Sequence, residues 1–421
     1  MDSEGNAATT GKGALAIVGG GFAGVAAALA ARTAAPGAVI SVYERESAPL
    51  AWLERLGGEP AALGWADDDP RSFLAAMRES VDAFAGLFMR LPGSAAKAWW
   101  EERGIAVRVD GHALFSARPA RELAADLREQ LRTARVTVLA GHTAEEAVFA
   151  ADGSARLWFS GNPVAEARRI LLAVGGGPNR ALSIARDHGH TDELFAPGCF
   201  GFRVADPRLK GLTGTELPAA RVETSAGHPP KPLGSSTGAL RITGRGLEGP
   251  AVLAASAAGS AALAAREYRF TVFINWIADL AGTEVTRALR ERALAFGKRS
   301  VHTDTLFGLP PKLWVRLAKA ARIGKDLTWT SCPPRKLNAL VGQLTHARFT
   351  VAGHFLDTRE RTWRGGLNMA GFDPATLESR RRPGLYAAGE VLHFLGDPGP
   401  AHAHATLATA LTAAHAAARG L

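Results

Sequence analysis

Residues 14–31 read ALAIVGGGFAGVAAALAA and combine three local signals in one short stretch. The apolar run Ala14–Val18 predicts a buried parallel strand. The alanine-rich segment that follows favours a helix, and Gly19, Gly21 and Gly24 lie between the two. This order, strand, glycine-rich turn and helix, is typical of the first half of a dinucleotide-binding unit.

Each glycine of the G-x-G-x-x-G pattern has a separate physical task. Gly19 permits the tight turn, Gly21 lets backbone amides approach a pyrophosphate, and Gly24 lets the helix pack closely on the strand. The N-terminus of the helix, at Phe22 and Ala23, carries the partial positive charge that attracts phosphate. We therefore expect these five residues to contact the cofactor.

A second apolar run, residues 39–43, ends at Glu44, which lies 23 residues beyond Gly21. An acidic side chain at this place accepts hydrogen bonds from a ribose hydroxyl pair, and its charge disfavours the 2′-phosphate of NADP. Arg45 follows directly and is a further candidate for the cofactor site.

The composition is that of an ordinary globular chain, with 47% hydrophobic and 21% charged residues among 421. This length predicts more than one domain. The net charge is +9, with basic residues spread along the chain and short clusters such as the three arginines at 380–382. We expect a solvated basic surface and no nucleic-acid partner, although the charge leaves room for an anionic substrate or partner.

The two cysteines, Cys199 and Cys332, lie far apart and predict neither a redox dithiol nor a disulfide framework. The polar N-terminus is unlike a signal peptide, and the apolar stretch 250–265 is too short to span a membrane. The histidines at 302, 346 and 354 show no ligand spacing, so no metal site is expected. These observations predict a cytoplasmic protein without a membrane partner; the oligomeric state stays open.

The order of predicted elements extends the dinucleotide-binding pattern. We expect an irregular connector over 45–70, a helix over 71–91, a three-stranded meander over 136–139, 147–150 and 155–159, and a final helix over 405–418. Residues 201–243 read as β-rich, and residues 279–336 as helical.

Two later segments resemble flavoprotein motifs. Pro383-Gly-Leu-Tyr-Ala-Ala-Gly-Glu390 resembles the second FAD motif of the glutathione-reductase-type fold, in which a strand ends at an acidic residue beside the ribityl chain. Ala173-Val-Gly-Gly-Gly177 is the intermediate glycine-rich turn. With the N-terminal motif, three nucleotide-contact segments follow in the order that this fold requires.

The resemblance narrows to the aminoacetone-oxidase-like (BaiN-type) flavoproteins. Residues 240–253, LRITGRGLEGPAVL, are similar to that family's FTHxGxSGPAVL, and DPATLES at 373–379 to its DPKTMES. The resemblance runs from about residue 13 to the C-terminus and includes a helical insert with LPPKLW at 309–314.

This resemblance implies an α/β fold: a Rossmann-type FAD-binding domain (parallel sheet plus β-meander) with an inserted β-barrel-like substrate domain and a small helical domain. The expected boundaries are 12–200 and 353–421 for the FAD domain, 201–278 and 337–352 for the β-rich domain, and 279–336 for the helical insert. It also implies cofactor contacts from Gly175, Gly389, Glu390, Gly399, Ala401 and His402.

Two family segments are replaced here. The family's SGxGRCN, which reaches toward the flavin, has no counterpart in residues 50–63, and its GGYNLQ reads Gly399-Pro-Ala-His-Ala-His404. His402 takes the place of the family's asparagine, and a histidine near neutral pKa can accept a proton as hydride leaves. We take His402 and His404 as the catalytic candidates, although helix-entry histidines also serve in packing or capping. His393 and Asp397 are weaker candidates, and Trp52, Trp65 and Trp363 either line a pocket or fill the core.

A second G-x-G-x-x-G at residues 244–249 is not interpreted as a nicotinamide site, because the next predicted strand lacks an acid at the required distance. The expected function is an FAD-dependent oxidoreductase that exchanges a hydride between flavin and a small organic substrate. A specialised, secondary-metabolic oxidase or monooxygenase is one form of it. Two alternatives stay open: a structural or non-redox flavin, and an NAD(P)H-dependent flavin reductase acting on a C=C bond.

Overall fold

The computed structural model describes residues 14–161, 164–227, 229–278, 280–356 and 362–421. The chain divides into two compact units. Unit 1 comprises residues up to 196 together with 362–421, and unit 2 comprises residues 197–361.

The helices of both units follow the chain in this order: α1 (Phe22–Ala34), α2 (Ala51–Leu56), α3 (Pro70–Ala75), α4 (Val81–Arg90), α5 (Gly93–Glu101), α6 (Ala120–Thr133), α7 (Leu182–Arg186), α8 (Pro250–Ala258), α9 (Ser260–Ala264), α10 (Gly282–Phe296), α11 (Pro311–Ala320), α12 (Pro334–Thr345) and α13 (Pro400–Ala418). Short 3-10 turns cover Met369–Gly371 and Gly389–Val391.

The strands of unit 1 and unit 2 are β1 (Ala14–Val18), β2 (Val39–Glu44), β3 (Pro60–Trp65), β4 (Met77–Glu79), β5 (Val107–Asp110), β6 (Ala113–Pro119), β7 (Thr137–Ala140), β8 (Ala144–Phe149), β9 (Ala155–Phe159), β10 (Val164–Ala167), β11 (Arg169–Leu172), β12 (Asp192–Pro197), β13 (Gly201–Arg203), β14 (Glu216–Ala226), β15 (Lys231–Thr243), β16 (Gly246–Glu248), β17 (Phe270–Asn275), β18 (Ala347–Val351), β19 (His354–Phe355), β20 (Trp363–Leu367), β21 (Leu385–Ala387) and β22 (Leu395–Gly396).

Unit 1 is organised around a five-stranded sheet of order β21-β11-β1-β2-β7. Every neighbouring pair in it is parallel. The side chains of β1, β11 and β21 are almost all buried, as expected for parallel strands covered on both faces. Because the strands are parallel, their carboxyl ends meet at one edge, and this edge carries all three glycine-rich segments.

The first and last helices of the chain, α1 and α13, pack against each other in unit 1. Both are rich in alanine, and most of their residues are buried. Small side chains on both surfaces let two helices approach closely, since the distance between helix axes depends on the side chains at the contact. The C-terminal helix is thereby joined to the N-terminal nucleotide motif.

The meander of unit 1 differs from the expected one by a single strand. Residues 137–140 form β7, which pairs parallel with β2 and is the edge strand of the parallel sheet. The three-stranded antiparallel sheet consists of β8, β9 and β10 instead. A short apolar run has the same appearance in either sheet, so the local pattern did not distinguish them.

Two further expectations for unit 1 were wrong in detail. The connector at 45–70 contains α2 and β3, and β3 pairs with β6. The single helix expected over 71–91 is divided into α3, β4 and α4, because residues 77–79 pair with β22 from the far end of the chain. Tertiary pairing overrides helical periodicity there.

The final helix begins at Pro400, five residues before the predicted start at 405. Proline fits the first turn of a helix because its missing N–H would have no partner there. Gly399 precedes it with φ +90°, a conformation that favours glycine. As a result, His402 and His404 lie in the first turns of α13 and not in a loop before it.

Unit 2 contains a seven-stranded antiparallel sheet of order β18-β17-β14-β15-β16-β13-β19. The long strands β14 and β15 form its centre, and α8 packs on both. Gly234 in β15 allows this approach, since a Cβ there would lie 2.6 Å from the carbonyl oxygen of Ala255. The second G-x-G-x-x-G belongs to the antiparallel β15–β16 hairpin, and Gly249 precedes α8.

The helices α10, α11 and α12 share one buried core with this sheet. Trp314 of α11 and Trp329 lie in it together with Val272 and Phe349 of the strands. The predicted helical domain at 279–336 therefore has no core of its own among the described residues. Its boundaries stay predictions: residue 279 and residues 12–13 lie outside the described part, and the boundary at 336 falls within α12.

The predicted fold class, an α/β flavoprotein-type fold with an inserted β-rich domain, is confirmed. The unit boundaries at 196/197 and 361/362 lie close to the predicted 200/201 and 352/353. The second boundary moves because His354 and Phe355 form β19, which pairs with β13 of unit 2. Across the described residues, helices with the length and apolarity needed to cross a membrane are absent.

Candidate dinucleotide-binding and active site

The candidate site lies at the carboxyl edge of the parallel sheet in unit 1. β1 leads into Gly19–Gly21, β2 ends at Glu44, β11 leads into residues 173–177, and β21 leads into Gly389 and Glu390. Ligands of open parallel sheets bind at this edge, because the glycine-rich turns and helix N-termini all face it.

The first glycine-rich turn has the geometry that a diphosphate requires. A Cβ on Gly24 would lie 1.8 Å from the carbonyl oxygen of Gly19, so helix and turn are in direct contact. A Cβ on Gly21, by contrast, would meet nothing within 4 Å. No side chain caps α1, so the first N–H groups of the helix, at Phe22 and Ala23, stay available to a ligand. The turn therefore fits a pyrophosphate over Gly21.

Glu44 is buried and tied to the same turn. Its Oε2 accepts a hydrogen bond of 2.6 Å from the backbone N–H of Gly20, and its Oε1 accepts one of 2.8 Å from Glu46. A carboxylate oxygen has two lone pairs, so each oxygen retains one for a ribose hydroxyl. Arg45 lies beside Glu44 but its side chain is 57% exposed, and its Nε lies 3.9 Å from Oε1 of Glu46. Its cofactor role stays a prediction.

The second acidic residue, Glu390, joins the other two glycine-rich segments. Its Oε2 accepts a hydrogen bond of 2.9 Å from the N–H of Gly176, next to Gly175. Gly389, with φ +73°, allows the chain to pass α1, since a Cβ there would lie 2.5 Å from the Cβ of Ala23. Each carboxylate thus binds a backbone amide that follows the adjacent strand, and the strands that lead to the two, β2 and β21, are separated by β1 and β11.

His402 completes this arrangement from the first turn of α13. Its Nε2 lies 2.8 Å from Oε1 of Glu390, and the backbone N–H of Gly396 lies 3.5 Å from its Nδ1. The N–H of Gly396 can only donate, so Nδ1 is the acceptor and Nε2 carries the proton toward Glu390. His402 is almost buried, and its ring packs on Phe394. Ala401, also buried, precedes it.

His404 has a different environment. Its Nε2 donates to the carbonyl of Leu91 at 2.8 Å, and its Nδ1 accepts from the N–H of Trp65 at 3.1 Å. The ring packs between Phe73 and Phe88. Burial lowers the pKa of His404 to about 4, although the bond to Leu91 acts in the other direction. A neutral, enclosed ring with both nitrogens hydrogen-bonded favours a structural role. The catalytic role of His404 stays a prediction.

A charged network lies near the second FAD motif. The sequence indicated His393 as a weaker candidate but not the acidic and basic side chains around it. His393 Nε2 lies 2.9 Å from Glu79 Oε2, and Arg364 donates to Glu79 Oε1 at 2.7 Å. Glu193 lies 3.3 Å from His393 Nδ1 and 3.5 Å from the Arg364 guanidinium. Burial disfavours ionisation of Glu79, yet the hydrogen bonds from His393 and Arg364 outweigh it and lower the pKa of this carboxyl. The network joins four separate elements of unit 1.

Other predicted residues have mixed positions. Trp363 lies against the intermediate glycine-rich turn, since a Cβ on Gly176 would be 2.8 Å from the Cβ of Trp363. It therefore borders the candidate site. Trp65 stacks on His112, and Trp52 is 37% exposed. Asp397, whose pKa is raised by burial, is bound by Arg78 at 2.6 Å.

The remaining histidine candidates show no metal-binding arrangement. Among the described residues, no group of three or more His, Cys, Asp or Glu side chains is placed to hold a metal ion.

A known family model matches most of unit 2. Residues 196–355 match the model of the HI0933-like protein barrel and H2TH domain. Over these residues the chain is similar to the HI0933-like proteins. The resemblance to this flavoprotein family, first seen in the motifs, is thereby confirmed, and the HI0933-like segment coincides with unit 2 and its antiparallel sheet.

Two curated proteins are similar to parts of this chain. A 3-dehydro-bile acid delta(4,6)-reductase of Clostridium scindens is 25% identical over 260 residues, 60% of this chain and 62% of that protein. A ribosomal RNA dihydrouridine synthase of Escherichia coli is 30% identical over 157 residues, 37% of this chain and 36% of that protein. The matches thus span less than two thirds of the length of either relative.

A solved structure shows the same fold over nearly the whole chain. The 3-ketosteroid-delta4-(5alpha)-dehydrogenase of Rhodococcus jostii RHA1 matches with a TM-score of 0.51 and covers 96% of both chains, at 16% identity. At this identity the likeness concerns the fold alone.

Proposed function

We propose that the protein binds FAD in unit 1 and is an oxidoreductase that exchanges a hydride with a small organic substrate. The observation that carries this proposal is the pair of carboxylates at the carboxyl edge of the parallel sheet: Glu44 on the N–H of Gly20 and Glu390 on the N–H of Gly176. A mononucleotide would need Glu44 alone. A dinucleotide that extends from an adenosine ribose to a second group would use both Glu44 and Glu390.

The bound flavin would supply the hydride chemistry, and the protein would supply binding, orientation and proton handling. Gly21 and the N-terminus of α1 would hold the pyrophosphate, and Glu44 the adenosine ribose. Glu390 is 23% exposed and keeps acceptor capacity for a cofactor hydroxyl. These assignments rest on the open space at Gly21 and on the lone pairs left on both carboxylates.

His402 is the side chain that we assign to proton handling. It lies at the partly buried carboxylate of Glu390, whereas His404 has both nitrogens on backbone groups. Removing a general acid or base typically slows turnover by about 10²–10⁴-fold. The variant His402→Ala should therefore keep its flavin and lose at least about 100-fold in turnover.

The matched variant is His402→Asn, which carries an amide that can still bond to Glu390 but does not titrate near neutral pH. We expect it, like His402→Ala, to keep FAD without recovering turnover, and to alter the pH profile of turnover. If His402→Ala turns over at the normal rate with an unchanged pH profile, His402 is a packing residue.

A more specific activity is supported by the relatives' names. A delta(4,6)-reductase and a dihydrouridine synthase are both named for the reduction of a ring carbon–carbon double bond. We therefore propose reduction of a C=C bond as the first reaction to test, ahead of an oxidase or monooxygenase. The proposed electron donor is NADH or NADPH; the second G-x-G-x-x-G, at residues 244–249, lies in an antiparallel hairpin and not in a β-α-β nucleotide-binding unit.

The test is an anaerobic absorbance experiment on the purified protein. NADH and NADPH are added first, and bleaching of the flavin band shows which one reduces it. Cyclic enones are then compared with the matching saturated ketones. Reoxidation by the enones alone supports the proposal. Reduction of the flavin by a saturated substrate, followed by reoxidation only with oxygen, would show an oxidase instead.

We also propose a cytoplasmic location. Cys199 and Cys332 are both buried and form no disulfide among the described residues, as is usual in a reducing compartment. Fractionation of the source cells with an antibody against the protein tests this, and recovery from a membrane or extracellular fraction would contradict it.

A further inference from the structure

The net charge of the chain is concentrated in the helical part of unit 2. Residues 282–345, from the start of α10 to the end of α12, contain twelve lysines and arginines and four acids, a net charge of +8. The rest of the chain has 37 basic and 36 acidic residues. The composition was interpreted above as basic residues spread along the chain. Their excess over acids is instead concentrated in this segment.

Six exposed cations of this segment form what we call the basic surface: Lys298, Arg299, Lys312, Lys319, Arg322 and Lys325. Residues 298–302 and 325–329 run side by side. The N–H of Val301 donates to Leu327, the N–H of Trp329 donates to Arg299, and Ser300 Oγ donates to the carbonyl of Lys325. This pairing brings the chain after α10 next to the chain after α11.

The helix α11 extends the basic surface along its solvent side. Lys312 and Lys319 are seven residues apart, two turns of helix, and therefore share a face about 10 Å long. The opposite face, with Leu313 and Leu317, is buried. At its end, Lys319 and Lys325 both lie near the buried His302, whose pKa is lowered by burial and then by these two ammonium groups.

Acidic side chains neutralise little of this surface. Arg299 lies 3.3 Å from Asp304, a carboxylate already bound by Arg292 at 2.5 Å. Among the described residues, the other five cations form no ion pair. The lysine ammonium groups stay hydrated at the ends of flexible stems, so they are available to an anionic ligand.

We propose that the basic surface binds the phosphate backbone of a nucleic acid. This goes beyond the proposed redox function and departs from the expectation of no nucleic-acid partner. A row of cations on a helix and the adjoining turns matches an extended polyanion, and binding releases the counterions condensed on it. Phosphate contacts of this kind carry affinity and no sequence preference.

An anionic membrane fits this surface less well. Binding to a lipid surface combines basic side chains with a buried apolar face. The large exposed apolar side chains near this region, Leu280, Leu294 and Phe296, precede the paired segment and lie outside residues 311–325. The solvent side of α11 therefore presents charge without an inserting apolar group.

The test is fluorescence anisotropy of a labelled single-stranded RNA of about 20 nucleotides with the full-length protein. For single strands the logarithm of the affinity falls with a slope of about −0.7 per phosphate contact. Six contacts give a slope of about −4, so affinity should fall roughly 300-fold between about 50 mM and about 200 mM salt. Absence of binding at the lower salt concentration would overturn the proposal.

Two matched triple variants separate the basic surface from net charge. Lys312→Glu, Lys319→Glu and Lys325→Glu together should halve the slope or abolish binding. Arg121→Glu, Arg168→Glu and Arg381→Glu change the exposed surface of unit 1 by the same charge and should bind RNA nearly as the parent does. Equal losses in both variants would show a non-specific charge effect and overturn the proposal.

Two further measurements keep the result decisive. If the glutamate variant unfolds, Lys319→Gln with Lys325→Gln removes two charges without repulsion and should still weaken binding at least tenfold. Vesicles with anionic lipid are compared with RNA at equal salt. Tighter binding to vesicles, lost in the same lysine variants, would assign the surface to a membrane instead. Flavin content and turnover are measured separately, so failure here leaves the redox proposal standing.

Discussion

At the scale of single residues, the candidate site depends on two glycines with opposite surroundings. Gly21 faces open space, whereas Gly24 touches the backbone of Gly19. The first is therefore available to a ligand and the second is required by the fold. A substitution at each position separates loss of binding from loss of structure.

We predict that Gly21→Val folds but purifies without bound FAD. Gly21 has φ −75°, which valine can adopt, and its Cβ would meet no protein atom within 4 Å. The new side chain would occupy the phosphate approach instead. Gly24→Ala is the paired variant, and its clash with Gly19 should reduce stability or yield. Flavin absorbance and thermal unfolding measure both effects. Full yellow absorbance in folded Gly21→Val would refute the pyrophosphate assignment.

The second residue-scale prediction concerns Glu390. A hydrogen bond to a charged group contributes about 1.5–3 kcal/mol. Since each 1.4 kcal/mol is tenfold, Glu390→Ala should weaken FAD binding by about tenfold to a hundredfold. Glu390→Gln keeps the shape and one acceptor oxygen, and should lose less. Titration of the apoprotein with FAD measures the affinities, and equal affinity in all three proteins would remove Glu390 from the site.

The third residue-scale prediction follows from the buried ring of His404. Its pKa is lowered from 6.5 to about 4, so between these values the unfolded chain binds a proton that the folded protein does not. The free energy of unfolding therefore falls as pH decreases from about 6.5 to about 4, by on the order of 3 kcal/mol from this residue. Above about pH 6.5 the contribution is fully present.

The check compares denaturant unfolding at pH 7 and at about pH 4.5. His404→Gln does not titrate and should lose part of the pH dependence, while the exposed His346→Gln should retain it. An identical pH dependence in the parent and in His404→Gln would show that His404 charges without cost in the folded state.

At the scale of elements, α13 connects several parts of unit 1 that are distant in sequence. It packs on α1 and β3, and its first turn contacts Glu390 through His402. It also binds the second FAD motif directly: the N–H of Gly389 donates to Thr409 Oγ1 at 2.9 Å, in a fully buried position. The helix therefore supports the cofactor site along about two turns.

We predict that Thr409→Val destabilises the protein by about 1–3 kcal/mol, because the buried N–H of Gly389 loses its acceptor while the shape is kept. Thr409→Ser retains the hydroxyl and should cost less. Thr412→Val, on a partly exposed position of the same helix, is the control for helix propensity. Urea unfolding measures all three. Equal stability of Thr409→Val and the parent would show that water replaces the lost acceptor.

At the scale of the whole molecule, the two units have separate buried cores. All the carboxylates and glycines of the candidate cofactor site belong to unit 1, and the basic surface belongs to unit 2. A ligand that binds only one unit stabilises that unit by mass action.

We predict two calorimetric transitions, of which FAD raises only one. At a free concentration of about 100 times its Kd, FAD contributes about 2.7 kcal/mol to the unit that binds it. RNA, if it binds the basic surface, should raise the other transition. Limited proteolysis during the scan identifies which unit unfolds first. A single transition that moves as a whole with FAD would show that the two units unfold together.

Local sequence patterns determined the cofactor motifs of this protein. Three short-range features define these motifs: the glycine spacing, Glu44 at the end of β2, and Glu390. They are short-range because a left-handed turn or a strand end depends on a few neighbouring residues. The family resemblance added the inserted β-rich segment and its place in the chain. These signals together predicted the fold class before any tertiary contact was known.

Tertiary structure alone decided which side chains meet. Glu79 and His393 are 314 residues apart, and no local pattern relates them. The same holds for the strand pairing that divides the helix expected at 71–91, and for His404, whose two backbone partners lie more than 300 residues away. The concentration of charge on one surface also depends on how 298–302 and 325–329 pair. Burial and pairing arise between distant segments, so their energies are absent from any single stretch of sequence.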